Sequence, residues 1–340
     1  MDSGRAPQVP DKPLKTLHFH PKYPVNYATD LPLTSIIAGL HTVHMKLNSR
    51  LKKVERTVTS VDGIELSVTS CGNSAHPPVV LFHGGGQTGW SWRETAEGLA
   101  NRQHYCLVPD LRGHGSSEFA NDYRLDRFVD DVGSIVNSLC TQPPVAVGAS
   151  MGGLTALIAQ SKQPIFSALV LVDIVPDWKQ DGIAQILAFL GAYPEGFASV
   201  EDAAAAIRAY LPHRPAPRDH EGLTRNLRRS GDRWFWHWDP RLLEAANEHV
   251  SQWQQRFSDG CQKIAIPTLL ISGGRSEIVD NEGANKLKKL IPHAQHVEIK
   301  NARHMVAGDS NQQFTDAVLE FLDSLDSVDP SQEDSLCLVS

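Results

Sequence analysis

The amino-acid sequence predicts an α/β protein with a doubly wound, mostly parallel sheet and an inserted helical cap. Between residues 55 and 175, short and wholly apolar runs alternate with helical segments. Strands that are apolar on both faces are typical of a parallel sheet covered by helices on both sides. The alternation stops over residues 176–262, where helical patterns predominate, and returns over residues 263–325. With 340 residues and 41% hydrophobic content, the chain can bury a core of this size.

An extension, residues 1–54, precedes the predicted core. Its first part is rich in proline and histidine and is predicted to be irregular. Ile36, Leu40, Val43 and Leu47 then recur at spacings of four and three, which predicts an amphipathic helix over residues 34–52. We expect this helix to pack against the main domain.

The first part of the core, residues 55–175, is predicted to begin with a hairpin whose turn is Asp62-Gly63. Further strands follow, separated by helical segments, as in a parallel sheet. The predicted strands cover residues 58–59, 64–68, 78–82, 105–108, 144–147 and 168–173, and the predicted helices cover residues 90–100, 125–139 and 154–159.

The predicted cap, residues 176–262, has helical segments on either side of a proline-rich joint at 212–217. The second part of the core, residues 263–325, contains two more strands and a last helix. A flexible acidic tail is predicted over residues 326–340, because such a composition buries little apolar surface. The helices of the cap are predicted over residues 203–210 and 242–257, the strands over 267–271 and 296–299, and the last helix over 311–325.

Residues 148–152 read Gly-Ala-Ser-Met-Gly and lie between a predicted strand and a predicted helix. A strand, a G-x-S-x-G turn and a helix in this order form a nucleophile elbow, in which the strained serine projects its hydroxyl above the sheet. The helix that follows points its N–H groups at the same place. Ser150 is therefore the candidate nucleophile.

Three further motifs accompany the elbow. They read F-H-G-G-G-Q at 82–87, D-L-R-G-H-G-S at 110–116 and R-H-M-V-A-G-D at 303–309. Together with G-A-S-M-G-G at 148–153, they make the chain resemble a capped α/β-hydrolase of the serine type over roughly residues 55–325. Within that superfamily it is most similar to the branch of esterases, lactonases and epoxide-hydrolase-like proteins.

The resemblance implies a triad in the chain order serine, acid, histidine, because a serine hydroxyl needs an imidazole base and the imidazole needs a carboxylate. His304 lies between the last predicted strand and the last helix, where the family has its base. For the acid we favour Glu277, although related sequences more often carry aspartate there. Asp173, at the end of the strand after the elbow helix, is the main alternative. Asp280 is the third candidate and is better interpreted as the N-cap of a helix over residues 281–290.

A tetrahedral oxyanion needs two preorganised N–H donors. The resemblance implies that one belongs to Met151 and that the other lies in the glycine-rich loop after the first buried strand, where we choose Gly85. Glycine lets the backbone approach a substrate without interference from a Cβ atom. His83, His114 and Asp110 are interpreted as residues that order the neighbouring turns and do not react.

The predicted cap should select the substrate. Trp234 and Trp236 are candidates to line an apolar acyl pocket, together with Trp90 near the glycine-rich loop. Residues 208–241 contain eight arginines and four acidic residues. We interpret them as a solvated face, with an anionic substrate or surface as the alternative.

These features predict a serine hydrolase that cleaves a carboxylic ester or lactone of a small to medium apolar substrate through an acyl-enzyme on Ser150. The alternatives are a hydrolase of C–C bonds or thioesters, and a ligand-sensing receptor or scaffold with a hydrolase-like pocket. A serine at the elbow argues against the aspartyl-ester mechanism of epoxide hydrolases and dehalogenases. No cofactor and no metal ion is expected.

Composition narrows the partners and the compartment. A net charge of −7 argues against nucleic-acid binding. The five cysteines lack the spacing of a disulfide framework or a zinc site, which favours a reducing compartment such as the cytoplasm. We find no signal peptide pattern and no apolar run long enough to span a bilayer. Nothing in the sequence indicates an oligomeric state.

The last four residues, Cys337-Leu338-Val339-Ser340, match the C-a-a-X prenylation signal, and the final serine favours a farnesyl group. The preceding tail is acidic and lacks the usual polybasic second signal. Coincidence is the alternative explanation for so short a motif. In a eukaryotic host, prenylation of Cys337 would add peripheral membrane contact to a cytoplasmic localisation.

Overall fold

The computed structural model of this protein describes residues 53–212, 214 and 221–326. The predicted helix over residues 34–52, the rest of the N-terminal extension and the acidic tail with Cys337 lie outside these residues. Within the described ranges, no helix is long and apolar enough to cross a membrane.

The described residues form an eight-stranded sheet and a separate two-stranded hairpin. The strands are β1 (Lys53–Thr59), β2 (Glu65–Cys71), β3 (Pro78–Phe82), β4 (Tyr105–Pro109), β5 (Val145–Ala149), β6 (Ala168–Val172), β7 (Leu227–Ser230), β8 (Arg233–Trp236), β9 (Thr268–Gly273) and β10 (Gln295–Ile299). The large sheet has the order β1-β2-β4-β3-β5-β6-β9-β10. Its pairs β1–β2 and β2–β4 are antiparallel and the rest are parallel. The prediction of a mostly parallel sheet is confirmed.

Ten α-helices and one short 3-10 helix, Gly89–Trp92, belong to the described part of the chain. The α-helices are α1 (Arg93–Asn101), α2 (Leu125–Leu139), α3 (Met151–Lys162), α4 (Gln180–Leu190), α5 (Val200–Tyr210), α6 (Glu221–Thr224), α7 (Arg241–Cys261), α8 (Asn281–Leu290), α9 (Val306–Asp309) and α10 (Asn311–Asp326). The helix predicted over residues 90–100 is therefore two elements, and the strand predicted at 58–59 is the end of a longer one.

Helices cover both faces of the large sheet, because its central strands are apolar on both sides. In β3, Val80 and Phe82 belong to one hydrophobic cluster and Val79 and Leu81 to another. The first cluster contains side chains of α2, α3, α7 and α8, and the second contains side chains of α1 and α10. Alternate side chains of a strand point to opposite faces, so this division shows the doubly wound arrangement.

The residues between β6 and β9, which we call the inserted segment, hold α4 to α7 and the hairpin β7–β8. The hairpin was not predicted: Leu227 pairs with Trp236, and its turn contains Gly231 at φ +62°. Helix α7 begins in this segment and ends in the main core, where Phe257 and Cys261 are fully buried. A Cβ atom on Gly260 would lie 2.7 Å from Leu157 of α3, so glycine permits this close packing.

Candidate active site

Ser150 occupies the sharp turn between β5 and α3. Its backbone angles are φ 47° and ψ −115°, in a region that non-glycine residues rarely adopt and that costs about 1–3 kcal/mol. Its N–H group donates a hydrogen bond to the Val172 carbonyl of the neighbouring strand at 3.0 Å. A Cβ atom on Gly148 would approach the Gly153 backbone to 2.6 Å, and one on Gly152 would approach the Phe82 carbonyl oxygen to 2.4 Å. The glycines of the motif therefore allow the turn, as the sequence predicts.

His304 lies in the loop between β10 and α9, and its ring contacts Asp173. Nδ1 of His304 and Oδ2 of Asp173 are 2.8 Å apart. Asp173 follows β6 directly, is fully buried, and has a positive φ of 49°. Its carboxylate also accepts hydrogen bonds from the Gly273 N–H group at 2.9 Å and the Ser276 hydroxyl at 2.6 Å. These bonds fix the carboxylate against the imidazole ring.

Glu277 does not contact the His304 ring, so the expectation that it orients the imidazole is wrong. Its carboxylate pairs with Arg303, and its other oxygen lies 3.4 Å from the His304 backbone N–H group. Asp173, the alternative in the sequence analysis, is the carboxylate at the imidazole. Asp280 caps α8 as predicted, accepting from the Gly283 N–H group at 2.9 Å.

The loop Gly84–Gln87 faces the elbow, and two of its three glycine N–H groups are already bonded. The Gly84 N–H group donates to the Gln87 side chain at 3.0 Å, and the Gly86 N–H group donates to Nε2 of His114 at 3.0 Å. The Gly85 N–H group has no hydrogen-bond acceptor among the described residues. This leaves Gly85 as the one glycine of the loop whose N–H group is open to a ligand.

Met151 is the first residue of α3, and it lies in the same cavity wall as Gly85. The first N–H groups of a helix have no partner inside the helix. In α3 the helical hydrogen bonding begins with the Leu154 N–H group, which donates to the Ser150 carbonyl at 2.9 Å. Gly85 and Met151, whose N–H groups have no hydrogen-bond acceptor among the described residues, therefore line the same cavity as Ser150.

Two buried histidines hold the glycine-rich loop. His83 donates from Nδ1 to the Gly84 carbonyl at 2.8 Å and accepts at Nε2 from the Leu111 N–H group at 2.9 Å. The Gly84 carbonyl and the Gly85 N–H group belong to one peptide unit, so the first bond also fixes the direction of that N–H group. His114 donates to the Arg112 carbonyl while it accepts from Gly86. The interpretation of both histidines as structural is confirmed.

His237, between β8 and α7, is a third histidine at this loop, and sequence reasoning missed it. Its Nδ1 accepts from the Gly115 N–H group at 2.8 Å, and its Nε2 donates to the Gly86 carbonyl at 3.3 Å. Burial lowers the pKa of His83, His114 and His237 to about 3, so all three rings are neutral at ordinary pH. No spacing or motif marked His237, because its role depends on how the inserted segment folds back over the core.

Asp110 orders the two turns beside this loop, as predicted. Its carboxylate accepts from the Gly89 N–H group at 2.7 Å and from the Ser116 N–H group at 2.8 Å. A Cβ atom on Gly115 would lie 2.2 Å from the same carboxylate, so glycine is needed there.

Ser150, His304 and Gly85 line one cavity of about 380 Å³. Trp90 and Trp236 also line it, as the sequence analysis expects. Trp234 is not among the described lining residues: it packs against the core of the inserted segment, with Arg229 over its ring, which corrects that expectation. The wall is mostly apolar and includes Trp92, Leu154, Ile174, Trp178, Ile183, Ile186, Leu187, Leu242 and Val250.

Comparisons with known proteins agree on one family. A family model described as the alpha/beta hydrolase fold matches residues 77–310. The chain is 28% identical over 267 residues to an sn-1-specific diacylglycerol lipase of Mus musculus, covering 74% of this chain and 82% of that protein. It is 27% identical over 292 residues to an esterase of Mycobacterium tuberculosis, covering 82% and 92%.

Solved structures show the same fold. The structure of E-2-(acetamidomethylene)succinate hydrolase superposes with a TM-score of 0.72 at 20% identity, covering 80% of this chain and 100% of that one. The structure of the Mycobacterium tuberculosis esterase superposes with a TM-score of 0.64 at 23% identity, covering 81% and 93%.

Proposed function

This chain belongs to the α/β-hydrolase family, and on that premise we propose that it hydrolyses carboxylic esters of apolar acyl groups through an acyl-enzyme on Ser150. The similarity to a lipase and to an esterase supports ester hydrolysis as the reaction. The observation that carries the proposal is the contact of the His304 ring with the buried Asp173 carboxylate, in a cavity that also contains Ser150.

In the proposed mechanism, His304 removes the Ser150 proton as the hydroxyl attacks the ester carbonyl. Nδ1 of His304 faces Asp173, so Nε2 is the nitrogen that accepts the proton. The Asp173 carboxylate keeps this tautomer and stabilises the imidazolium that forms. Protonated His304 then donates to the leaving alcohol, and an activated water hydrolyses the acyl-enzyme by the same proton transfers.

The oxyanion of each tetrahedral intermediate would accept hydrogen bonds from the N–H groups of Gly85 and Met151. Both groups lie at the cavity wall, and neither has an intramolecular partner in the described part of the chain. The hydrogen bond from His83 to the Gly84 carbonyl holds the Gly85 N–H group in place before the substrate arrives. Donors fixed in advance stabilise developing charge without reorganisation, and loss of one typically lowers the rate by about 10²–10³.

The cavity supports an apolar acyl group of small to medium size. Its wall carries few polar groups, so an acyl chain is transferred from water to an apolar surface. Each buried methylene contributes about 0.8 kcal/mol, which corresponds to about a fourfold gain in kcat/KM. A series of p-nitrophenyl esters should show this increase until the chain exceeds the cavity. Lactones of the same carbon number test whether cyclic esters are also substrates.

Labelling with a fluorophosphonate probe tests the nucleophile. We expect wild-type protein to be labelled and Ser150→Ala to lose both labelling and p-nitrophenyl butyrate hydrolysis. Ser91→Ala is a matched control, because Ser91 lies in the same cavity wall and its hydroxyl donates to the Thr88 carbonyl at 2.8 Å. Labelling of Ser150→Ala at another serine, or wild-type protein that neither labels nor turns over, would contradict the proposal.

A further inference from the structure

Three cations surround the exposed ring of Trp90 at the mouth of the cavity. Trp90 is 39% exposed and belongs to the cavity wall. The Arg225 guanidinium carbon is 4.0 Å from the ring centroid, that of Arg93 is 4.9 Å away, and the Lys53 ammonium is 5.4 Å away. Since Arg225 belongs to the inserted segment and Trp90 to the core, the mouth is built from both.

Only part of this positive charge is balanced by carboxylates. Lys53 pairs with Glu97 at 2.8 Å, and Arg93 pairs with Glu94 at 3.3 Å. Arg225 has no carboxylate partner within residues 53–212, 214 and 221–326. Among the described residues, one guanidinium charge at the mouth is thus without a carboxylate partner.

Arg214 shows the contrast. It also lies in the cavity wall, but its guanidinium binds the Asp309 carboxylate at 2.6 Å. The Arg214 charge is therefore balanced by a carboxylate of the protein, whereas Arg225 has no such partner in the described part of the chain.

The N–H donors of Arg225 have no hydrogen-bond acceptor in the described part of the chain. A guanidinium is planar, and its five N–H groups point outward in that plane. A cation–π contact at 4.0 Å does not pair the guanidinium N–H groups with an oxygen acceptor, so these groups can still bind a carboxylate or phosphate. The neighbouring residue, Asn226, lies in the cavity wall, and its side-chain amide has no hydrogen-bond partner in the described part of the chain.

We propose that Arg225, held over Trp90, binds an anionic group on the alcohol part of the substrate, with Asn226 as a second donor. This rests on the proposed ester hydrolysis. An apolar interior disfavours a charge, so the acyl chain lies inside and the anion at the mouth. The substrate class is then an ester with an apolar acyl group and an alcohol that carries a carboxylate or a phosphate.

Three butyrate esters test this: phenyl butyrate, 4-carboxyphenyl butyrate and 4-(phosphonooxy)phenyl butyrate. Each kcat/KM is divided by the rate of hydroxide-catalysed hydrolysis to remove differences in intrinsic reactivity. We expect wild-type protein to favour at least one anionic ester over the neutral one by up to about fivefold, the upper end of the range for an exposed ion pair. The preferred anion distinguishes a carboxylate from a phosphate, and added salt should reduce the preference.

Arg225→Gln should bring the corrected kcat/KM for the anionic ester close to that for the neutral ester, so that their ratio is close to one. Arg225→Lys should keep part of the preference for the anionic ester. Arg229→Gln is the matched control, because Arg229 is an exposed arginine of the nearby strand β7 and contacts Trp234, which is not among the described lining residues of the cavity. It removes the same charge and should leave the ratio unchanged.

Three results would overturn the proposal: wild-type protein without a preference for either anionic ester, a preference that survives in Arg225→Gln, or an equal loss in Arg229→Gln. In each of these the neutral ester is still hydrolysed and the proposed esterase function stands. If no ester is hydrolysed and the fluorophosphonate does not label Ser150, both proposals fail together.

Discussion

Replacing Asp173 by asparagine should abolish most activity, and replacing Glu277 by glutamine should not. In Asp173→Asn, the side chain keeps its volume and can still accept from the Gly273 N–H group through its oxygen. The amide then presents an N–H group to Nδ1 of His304, where the wild-type protein has a carboxylate oxygen at 2.8 Å. The ring is driven to the tautomer with a proton on Nε2, which cannot accept the Ser150 proton.

The size of each effect follows from these contacts. The corresponding change in a serine protease lowers kcat by about 10⁴, so we expect a similar loss in Asp173→Asn, equivalent to about 5 kcal/mol in the barrier. The Glu277 carboxylate lies 3.4 Å from the His304 backbone N–H group and pairs with a partly exposed Arg303. Exposed ion pairs contribute about 0.2–1 kcal/mol, so Glu277→Gln should lower kcat/KM by less than about fivefold.

Hydrolysis of p-nitrophenyl butyrate measures both variants, and their thermal unfolding temperatures establish that each is folded. A nearly wild-type rate in Asp173→Asn together with a crippled Glu277→Gln would refute this reasoning and make Glu277 the partner of His304. Equal, moderate losses in both variants would mean that the two carboxylates share the role.

Three further predictions concern stability and the elbow. Since burial lowers the pKa of His237 to about 3, the unfolded chain binds more protons than the folded one between pH 3 and 6.5. His237→Gln should therefore make the unfolding free energy less dependent on pH, with a slope that is smaller by about 1.4 kcal/mol per pH unit. Urea unfolding at pH 5 and 6 measures this slope, and an unchanged slope would contradict the prediction. Asp131→Asn should destabilise by about 3 kcal/mol in the same assay, because it leaves the fully buried Arg112 with Asp62 as its remaining carboxylate partner. Gly152→Ala should abolish fluorophosphonate labelling, because a Cβ atom would lie 2.4 Å from the Phe82 carbonyl oxygen; normal labelling would show that the turn tolerates it.

The acid could not be assigned from the sequence because two strands bring a carboxylate to the same place. Asp173 follows β6 and Glu277 follows β9, and these strands are parallel neighbours with Leu171 opposite Leu270. Their carboxyl ends meet at one edge of the sheet, so both side chains come close to His304. In the structure the Asp173 carboxylate contacts the imidazole ring, and the Glu277 carboxylate pairs with Arg303. Neither is visible as a sequence pattern.

The strands, the elbow and the glycine-rich loop were predictable because each depends on local patterns. Wholly apolar runs form buried strands, and the glycines of the elbow are required within a few residues of Ser150. The position of Trp234 outside the cavity wall and the hairpin of the inserted segment were not predictable in this way. They depend on which face of that segment meets the core, and a partner such as Phe197, which bridges to Trp234, is distant in sequence.

The glycine-rich loop owes its geometry to histidines that must stay neutral, while the proposed mechanism needs one histidine that gains and loses a proton. His114 and His237 each accept an N–H group of the loop region, so protonating either ring would place two donors against each other. Both are buried, and burial holds their pKa values near 3. His304 instead has a partly exposed side chain, and its Nδ1 lies 2.8 Å from the Asp173 carboxylate. The difference in burial separates the two roles. In the proposed mechanism His304 transfers the protons, while the bond from the buried His83 to the Gly84 carbonyl keeps the Gly85 N–H group in its direction.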